Sequence, residues 1–260
     1  MRTTARTLLA ASLAALTLTA CTVTTEPPPD STAPPSTAPT TDAPTPPTDE
    51  PAVADEVPVT SATLIGRARG DLTIHDAPGG EVSHELPGTT PFGSTTTLLV
   101  LDHDTGPDAG WLQVAVPVRP NGTTGFVREE AVLLERTDLE VLIDTAAREL
   151  TVRDGDEVLL TAPTAIGEPA NPTPLGRFWL TDKVASDDPE GPYGPFALGL
   201  SARSETLTEF AGGDGQIAIH GTNQPGSIGQ AVSHGCLRVT DEVVEALVEL
   251  LPLGAPVTIS

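Results

Sequence analysis

Short runs of alternating apolar and polar residues fill the chain from Val59 to Ser260. The first group reads ATLIGRA (62–68), DLTIHD (71–76), STTTLLVLD (94–102), GWLQVAV (110–116) and TGFVRE (124–129), with Pro78-Gly79-Gly80 as one of the turns between them. Strand-forming runs this short and closely spaced predict a small all-β barrel over residues 59–135. Residues 137–260 continue the pattern in Leu139–Asp144, Glu149–Arg153 and Val158–Ile166, with Asp154-Gly155-Asp156 closing a hairpin. Further strands are predicted at Gly176–Thr181, Phe196–Leu200, Gln216–His220 and Pro256–Ser260. The period changes once, where Val243, Val244, Leu247, Leu250 and Leu251 make one apolar helical face. Thr240 can cap that helix, Asp241 and Glu242 suit its N-terminal dipole, and Pro252 stops it. The predicted fold class is mostly β: a small barrel, then a second β domain with one C-terminal amphipathic helix.

The N-terminal sequence has a different character. Arg2 and Arg6 precede an apolar run from Leu8 to Ala20, the pattern of a secretory signal. These thirteen residues fall short of the roughly 20 that span a bilayer. Leu18-Thr19-Ala20-Cys21 resembles a lipobox, so residues 1–21 predict a lipoprotein signal with Cys21 lipidated; an ordinary signal peptide with a chance cysteine is the alternative. Residues 22–58 hold eleven Pro and nine Thr, seven acidic residues and no basic one. Such a segment cannot bury enough apolar surface to fold and predicts a disordered, extended linker of at most about 115 Å. The expected location is extracytoplasmic, in the cell envelope, lipid-anchored at the outer face of the cytoplasmic membrane.

A formal charge of −23 argues against a nucleic-acid partner. Against that background Gln216–Thr240, QIAIHGTNQPGSIGQAVSHGCLRVT, has no Asp or Glu, and its single fixed charge is Arg238. It also carries His220, His234 and Cys236, the only cysteine after Cys21. A thiol, two imidazoles and a guanidinium kept clear of carboxylates read as a nucleophilic site for an anionic substrate. His220 ends a predicted strand, and the loop after it is long enough to bring the Cys236 thiol back to the imidazole. His234, two residues before Cys236, points to the same side if the segment is extended. Gly235 lets the backbone turn so that nearby amides can form an oxyanion hole. With an ordinary imidazole pKa near 6.5, activation by His220 should fade in mild acid. Arg238 either grips a substrate carboxylate or pairs with Asp241 or Glu242. Tyr193, in a Gly/Pro-rich loop, either lines the cleft or is a surface aromatic. No cofactor is expected. Zinc on His220, His234 and Cys236 is disfavoured, because no carboxylate lies nearby in sequence to orient the imidazoles. His75, His84 and His103 have no partner spacing and are expected to be solvated, and Trp111 is expected to be buried rather than a ligand platform.

His220-Gly221-Thr222 followed by Ser233-His234-Gly235-Cys236-Leu237-Arg238 resembles the signature of the YkuD-type L,D-transpeptidases. The likeness extends to Thr173-Pro174-Leu175-Gly176 and Gly191-Pro192-Tyr193-Gly194-Pro195, and so covers most of residues 137–260. It implies a catalytic β-sandwich with Cys236 as nucleophile and His220 as general base and acid. Ser233, His234 and Gly235 would order the loop, and the Gly221 carbonyl is one possible partner for the base. Arg238, Tyr193, Thr222 and Asn223 are expected to contact substrate. The implied reaction forms a thioester with a peptidoglycan stem tetrapeptide, releases D-alanine and joins third residue to third residue. Carbapenem-type β-lactams are the implied inhibitors. An L,D-carboxypeptidase on the same site and a non-catalytic wall-binding lipoprotein remain the alternatives. In the first domain, Gly110-Trp111-Leu112-Gln113-Val114 and Gly125-Phe126-Val127 resemble bacterial SH3-like modules.

Overall fold

A computed structural model describes residues 62–103, 109–209 and 213–260. The lipobox with Cys21, the signal and the linker lie outside the described residues.

The first seven strands are β1 (Thr63–Ala68), β2 (Leu72–His75), β3 (Val82–Leu86), β4 (Thr97–His103), β5 (Trp111–Ala115), β6 (Thr124–Arg128) and β7 (Val132–Thr137). They form one antiparallel sheet in the order β3-β2-β6-β5-β4-β1-β7. The outermost two, β3 and β7, were not among the predicted strands. β3 keeps three of its five residues exposed, so its extended form comes from pairing with β2 rather than from its own pattern. Leu72, Ile74, Leu98, Leu112, Val114 and Val127 make the core of this sheet. Trp111 is buried, with Arg128 stacked 4.4 Å above its ring. His75 departs from expectation: its ring packs edge-on against Trp111 at 4.9 Å and its Nδ1 lies 2.8 Å from the Gly80 carbonyl. His103 is exposed, as expected, with its Nε2 3.5 Å from Glu129 Oε2.

The remaining strands are β8 (Leu139–Asp144), β9 (Glu149–Asp154), β10 (Glu157–Pro163), β11 (Ile166–Gly167), β12 (Gly176–Ala185), β13 (Phe196–Arg203), β14 (Gln216–His220), β15 (Ala231–Ser233), β16 (Leu237–Arg238) and β17 (Pro256–Ile259), with helix α1 at Asp241–Leu250. Eight of them form a mixed sheet in the order β10-β9-β8-β17-β12-β13-β14-β16, and β11 pairs in parallel with β15. Helix α1 packs on β13 and β14, burying Val244 and Leu247 into a core with Leu198, Leu200, Ile219 and Leu237. Thr240 caps it by accepting from the Val243 amide, as the sequence predicts. Its last turn has no basic residue, and Lys183 Nζ reaches across to the Val248 carbonyl at 2.7 Å instead. The fold is mostly β, with one α-helix among the described residues, and no helix there is long and apolar enough to cross a membrane.

Residues 158–166 were predicted as one strand and are in fact two. The ladder with β9 ends at Pro163, which has no N–H to donate. Ala165 then exchanges backbone hydrogen bonds with Arg238 at 2.8 and 3.1 Å, and β11 departs toward β15. This break carries the chain from the far edge of the sheet to the edge where the His, Gly and Cys residues of the sequence motif gather. The two sheets form one compact unit. Trp179, from β12, is buried in the first sheet's core and donates from Nε1 to the Thr97 carbonyl at 2.8 Å.

Candidate active site

The site forms where β14 and β16 run parallel, with Ile219 opposite Leu237 and His220 opposite Arg238. Ile219 and Leu237 are completely buried in the second core. Because side chains alternate along a strand, His220, Cys236 and Arg238 share the opposite face. All three line a pocket of about 290 Å³ together with Tyr193, Ser233, His234, Ser204, Leu207 and Gln216. Among the described residues no carboxylate lines it, despite the acidity of the chain.

His220 is 4 % exposed, and its Nδ1 lies 2.6 Å from the Gly221 carbonyl oxygen. A carbonyl only accepts, so Nδ1 carries the proton and Nε2 is left with its lone pair. Burial is the main force on its titration and lowers its pKa to about 4; the Gly221 hydrogen bond opposes that shift and the Arg238 charge adds to it. With this shift the imidazole stays neutral until the pH approaches 4, well below the ordinary imidazole range. Tyr193 packs a tilted ring 4.8 Å from His220. Burial also raises the Cys236 pKa, while a hydrogen bond from the Ala218 backbone and the charge of Arg238 pull it back. The resting pair is thus a neutral thiol and a neutral imidazole at neutral pH. The Arg238 charge favours the thiolate once a proton moves.

The loop before Cys236 bends at His234 and Gly235 instead of running extended. Gly235 has φ +114°, a conformation other residues rarely adopt. Its N–H donates to Ser233 Oγ at 3.1 Å, and that hydroxyl donates to the Cys236 carbonyl at 2.6 Å. The Gly235 amide, expected to be open toward an oxyanion, is thus hydrogen-bonded within the loop. His234 sits exposed at the pocket rim. Thr173 was legible as part of the family pattern but had no role from sequence. Its hydroxyl donates to the Gly235 carbonyl and accepts from the Gly167 amide, both at 2.9 Å, tying the loop to β11.

Arg238 does not pair with Asp241 or Glu242. Among the described residues no carboxylate lies within ion-pair distance of it, and its Nε is buried with no hydrogen-bond partner. Asp241 is occupied elsewhere, its Oδ1 accepting from the Thr222 amide at 3.0 Å. The same carboxylate lies against Gly194 and Gly221, and a Cβ on Gly194 would meet the Gly221 Cα at 2.7 Å. This close approach sets the Tyr193 loop beside His220. Thr222 is buried with its hydroxyl accepting from the Gln224 amide at 3.1 Å, and Asn223 is exposed. Neither lines the pocket.

Residues 138–259 match the model of the YkuD family, the L,D-transpeptidase catalytic domain. Two relatives from Bacillus subtilis (strain 168), both named as L,D-transpeptidases, align with this region. YkuD is 34% identical over 120 residues, covering 46% of this chain and 65% of its own length. YqjB is 31% identical over 134 residues, covering 47% of this chain and 72% of its own. The chain thus spans just under two thirds of the length of YkuD. Among solved structures, an L,D-transpeptidase from Mycobacterium smegmatis superposes with TM-score 0.39 at 18% identity, over 64% of this chain and 91% of that one. By the match to YqjB and to the family model, both through the segment that carries the His220–Cys236–Arg238 face, the chain belongs to the YkuD family of L,D-transpeptidase catalytic domains.

Proposed function

We propose that this protein is a peptidoglycan L,D-transpeptidase that works through an acyl-enzyme on Cys236. Nε2 of His220 takes the thiol proton as Sγ attacks the carbonyl of the stem's third residue. The C–N bond to the terminal D-alanine breaks, the proton passes from His220 to the departing amine, and a thioester remains. The amine of a second stem then attacks the thioester, His220 takes its proton and returns it to the sulfur, and the two third residues are joined. The observation that carries this reading is the shared face of β14 and β16, which presents an imidazole of fixed tautomer, a thiol and an unpaired guanidinium to one carboxylate-free pocket. Arg238 grips a substrate carboxylate through its planar fork, and Tyr193 closes the pocket beside the base. Carbapenems would be trapped on the same thiol.

The same proposal places the protein in the cell envelope, held at the outer face of the cytoplasmic membrane by lipid on Cys21. Residues 59–135 would be an SH3-like module and residues 22–58 a tether. The test is a muropeptide digest after incubating purified protein with disaccharide-tetrapeptide. Dimers linked through the third residues, with release of D-alanine, are expected. D-alanine release without dimers would mean that water is the acceptor, and no release would reject the reading.

A further inference from the structure

One wall of the Cys236 pocket is not held by the catalytic sheet alone. Ser204, Leu207 and Gly215 line the pocket from the connection between β13 and β14, and Gln216, the first residue of β14, lines it beside them. Within that connection Ser204 N donates to the Gly215 carbonyl at 2.8 Å, and Arg203 Nε pairs with Asp214 at 2.7 Å. The described remainder of the wall leans on the other sheet. Arg119, on the connection between β5 and β6, donates from Nη1 to the Ser204 carbonyl and from Nη2 to the carbonyls of Leu207 (3.0 Å) and Asp214 (2.6 Å). Asn121, two residues on, brackets the Arg203 backbone, donating to its carbonyl at 2.8 Å and accepting from its amide at 2.9 Å. Gly215 has φ +75°, and a Cβ there would come within 2.9 Å of the Arg119 guanidinium, so that guanidinium fills the space behind the wall.

We infer that Arg119 is a positioning residue for the reaction at Cys236: it sets the wall that selects and orients the bound acyl donor, although it lines no part of the pocket itself. One planar guanidinium with five donors can join three carbonyls on both sides of a chain turn. The first sheet is therefore part of the catalytic apparatus through this contact, whatever else it binds. The inference rests on the acyl-transfer reading of Cys236, and the experiment separates the two.

The variants are Arg119→Ala and Arg119→Lys in the full chain, compared with wild type at a temperature where all are folded. Acylation of Cys236 by a carbapenem is resolved into a binding constant and a maximal rate, and alkylation by iodoacetamide reports the bare thiol. Hydrogen exchange is followed in peptides covering residues 203–209 and 213–217. Arg119→Ala should weaken carbapenem binding by about two- to thirtyfold, the range for residues that act on a site without touching its ligand. The maximal acylation rate should change much less, iodoacetamide alkylation should be unchanged, and exchange should rise in the two wall segments. Arg119→Lys should rescue only in part, because a single ammonium cannot replace the fork. Unchanged binding and unchanged exchange in folded Arg119→Ala would overturn the inference. If wild type takes no carbapenem, the acyl-transfer reading fails, and the exchange measurement alone then decides whether Arg119 holds the wall: no rise would overturn that too.

Discussion

Lowering the pH tests a strongly perturbed group in the site, His220. An unfolded imidazole titrates near 6.5, whereas burial, helped by the Arg238 charge, holds native His220 at about 4. Between those values the unfolded chain binds a proton that the native protein does not. Stability therefore falls as the pH falls through this window, and the loss stops growing below about 4. Going from 6.5 down to about 5, at roughly 1.36 kcal/mol per pH unit, the contribution is about 2 kcal/mol. His220→Gln removes the titration while keeping a polar side chain of similar size. Urea unfolding of both proteins near pH 7 and near pH 5 should show wild type losing about 2 kcal/mol more than the variant. Equal losses in the two proteins would refute a buried, neutral imidazole. By the same reasoning the rate of thiol acylation should hold level through mild acid and collapse only as the pH nears 4.

Other substitutions separate the roles of neighbouring groups. Arg238→Lys keeps the charge but loses the fork, so steady-state transpeptidation should weaken while thermal melting holds; an unchanged rate would make the buried Nε irrelevant to substrate. Gly194→Ala would force the Tyr193 loop away from Gly221 and Asp241, and should cost about 1–3 kcal/mol in denaturant unfolding along with slower acylation. His220→Ala should lower activity by about 10²–10⁴-fold in single-turnover assays, and His234→Ala by much less. The reverse order in folded variants would move the base to His234.

The sequence carried the parts of this site that depend on local pattern. Alternation in Gln216–His220 places Ile219 in the core and His220 on the other face, and the Thr240 cap with the Val244 and Leu247 stripe marks the helix that backs the site. The motif residues His220, Ser233, Gly235 and Cys236 all lie at or beside the pocket. What could not be read depends on contacts far apart in the chain. Pro163 gave no sign in advance that Ala165 would pair with the Arg238 backbone. The bend at Gly235 was legible as flexibility but not as an amide committed to Ser233. Asp241 reads as a helix N-terminal acid in sequence, yet it also holds the Thr222 amide and wedges between two glycines. Arg119 lies 85 residues from Ser204, and nothing in either segment announces their contact. β3 and β7 were missed because their neighbours, rather than their own alternation, make them strands.

The central claim is that Cys236 becomes acylated with His220 as its base, and intact mass measurement tests it most directly. Reduced protein incubated with a carbapenem should gain one molecule of drug, located by peptide mapping to the peptide that contains Cys236. The adduct should be absent in Cys236→Ala, form far more slowly in His220→Ala, and be indifferent to a chelator. A folded, reduced protein that takes no label, or whose label survives in Cys236→Ala, would contradict the account.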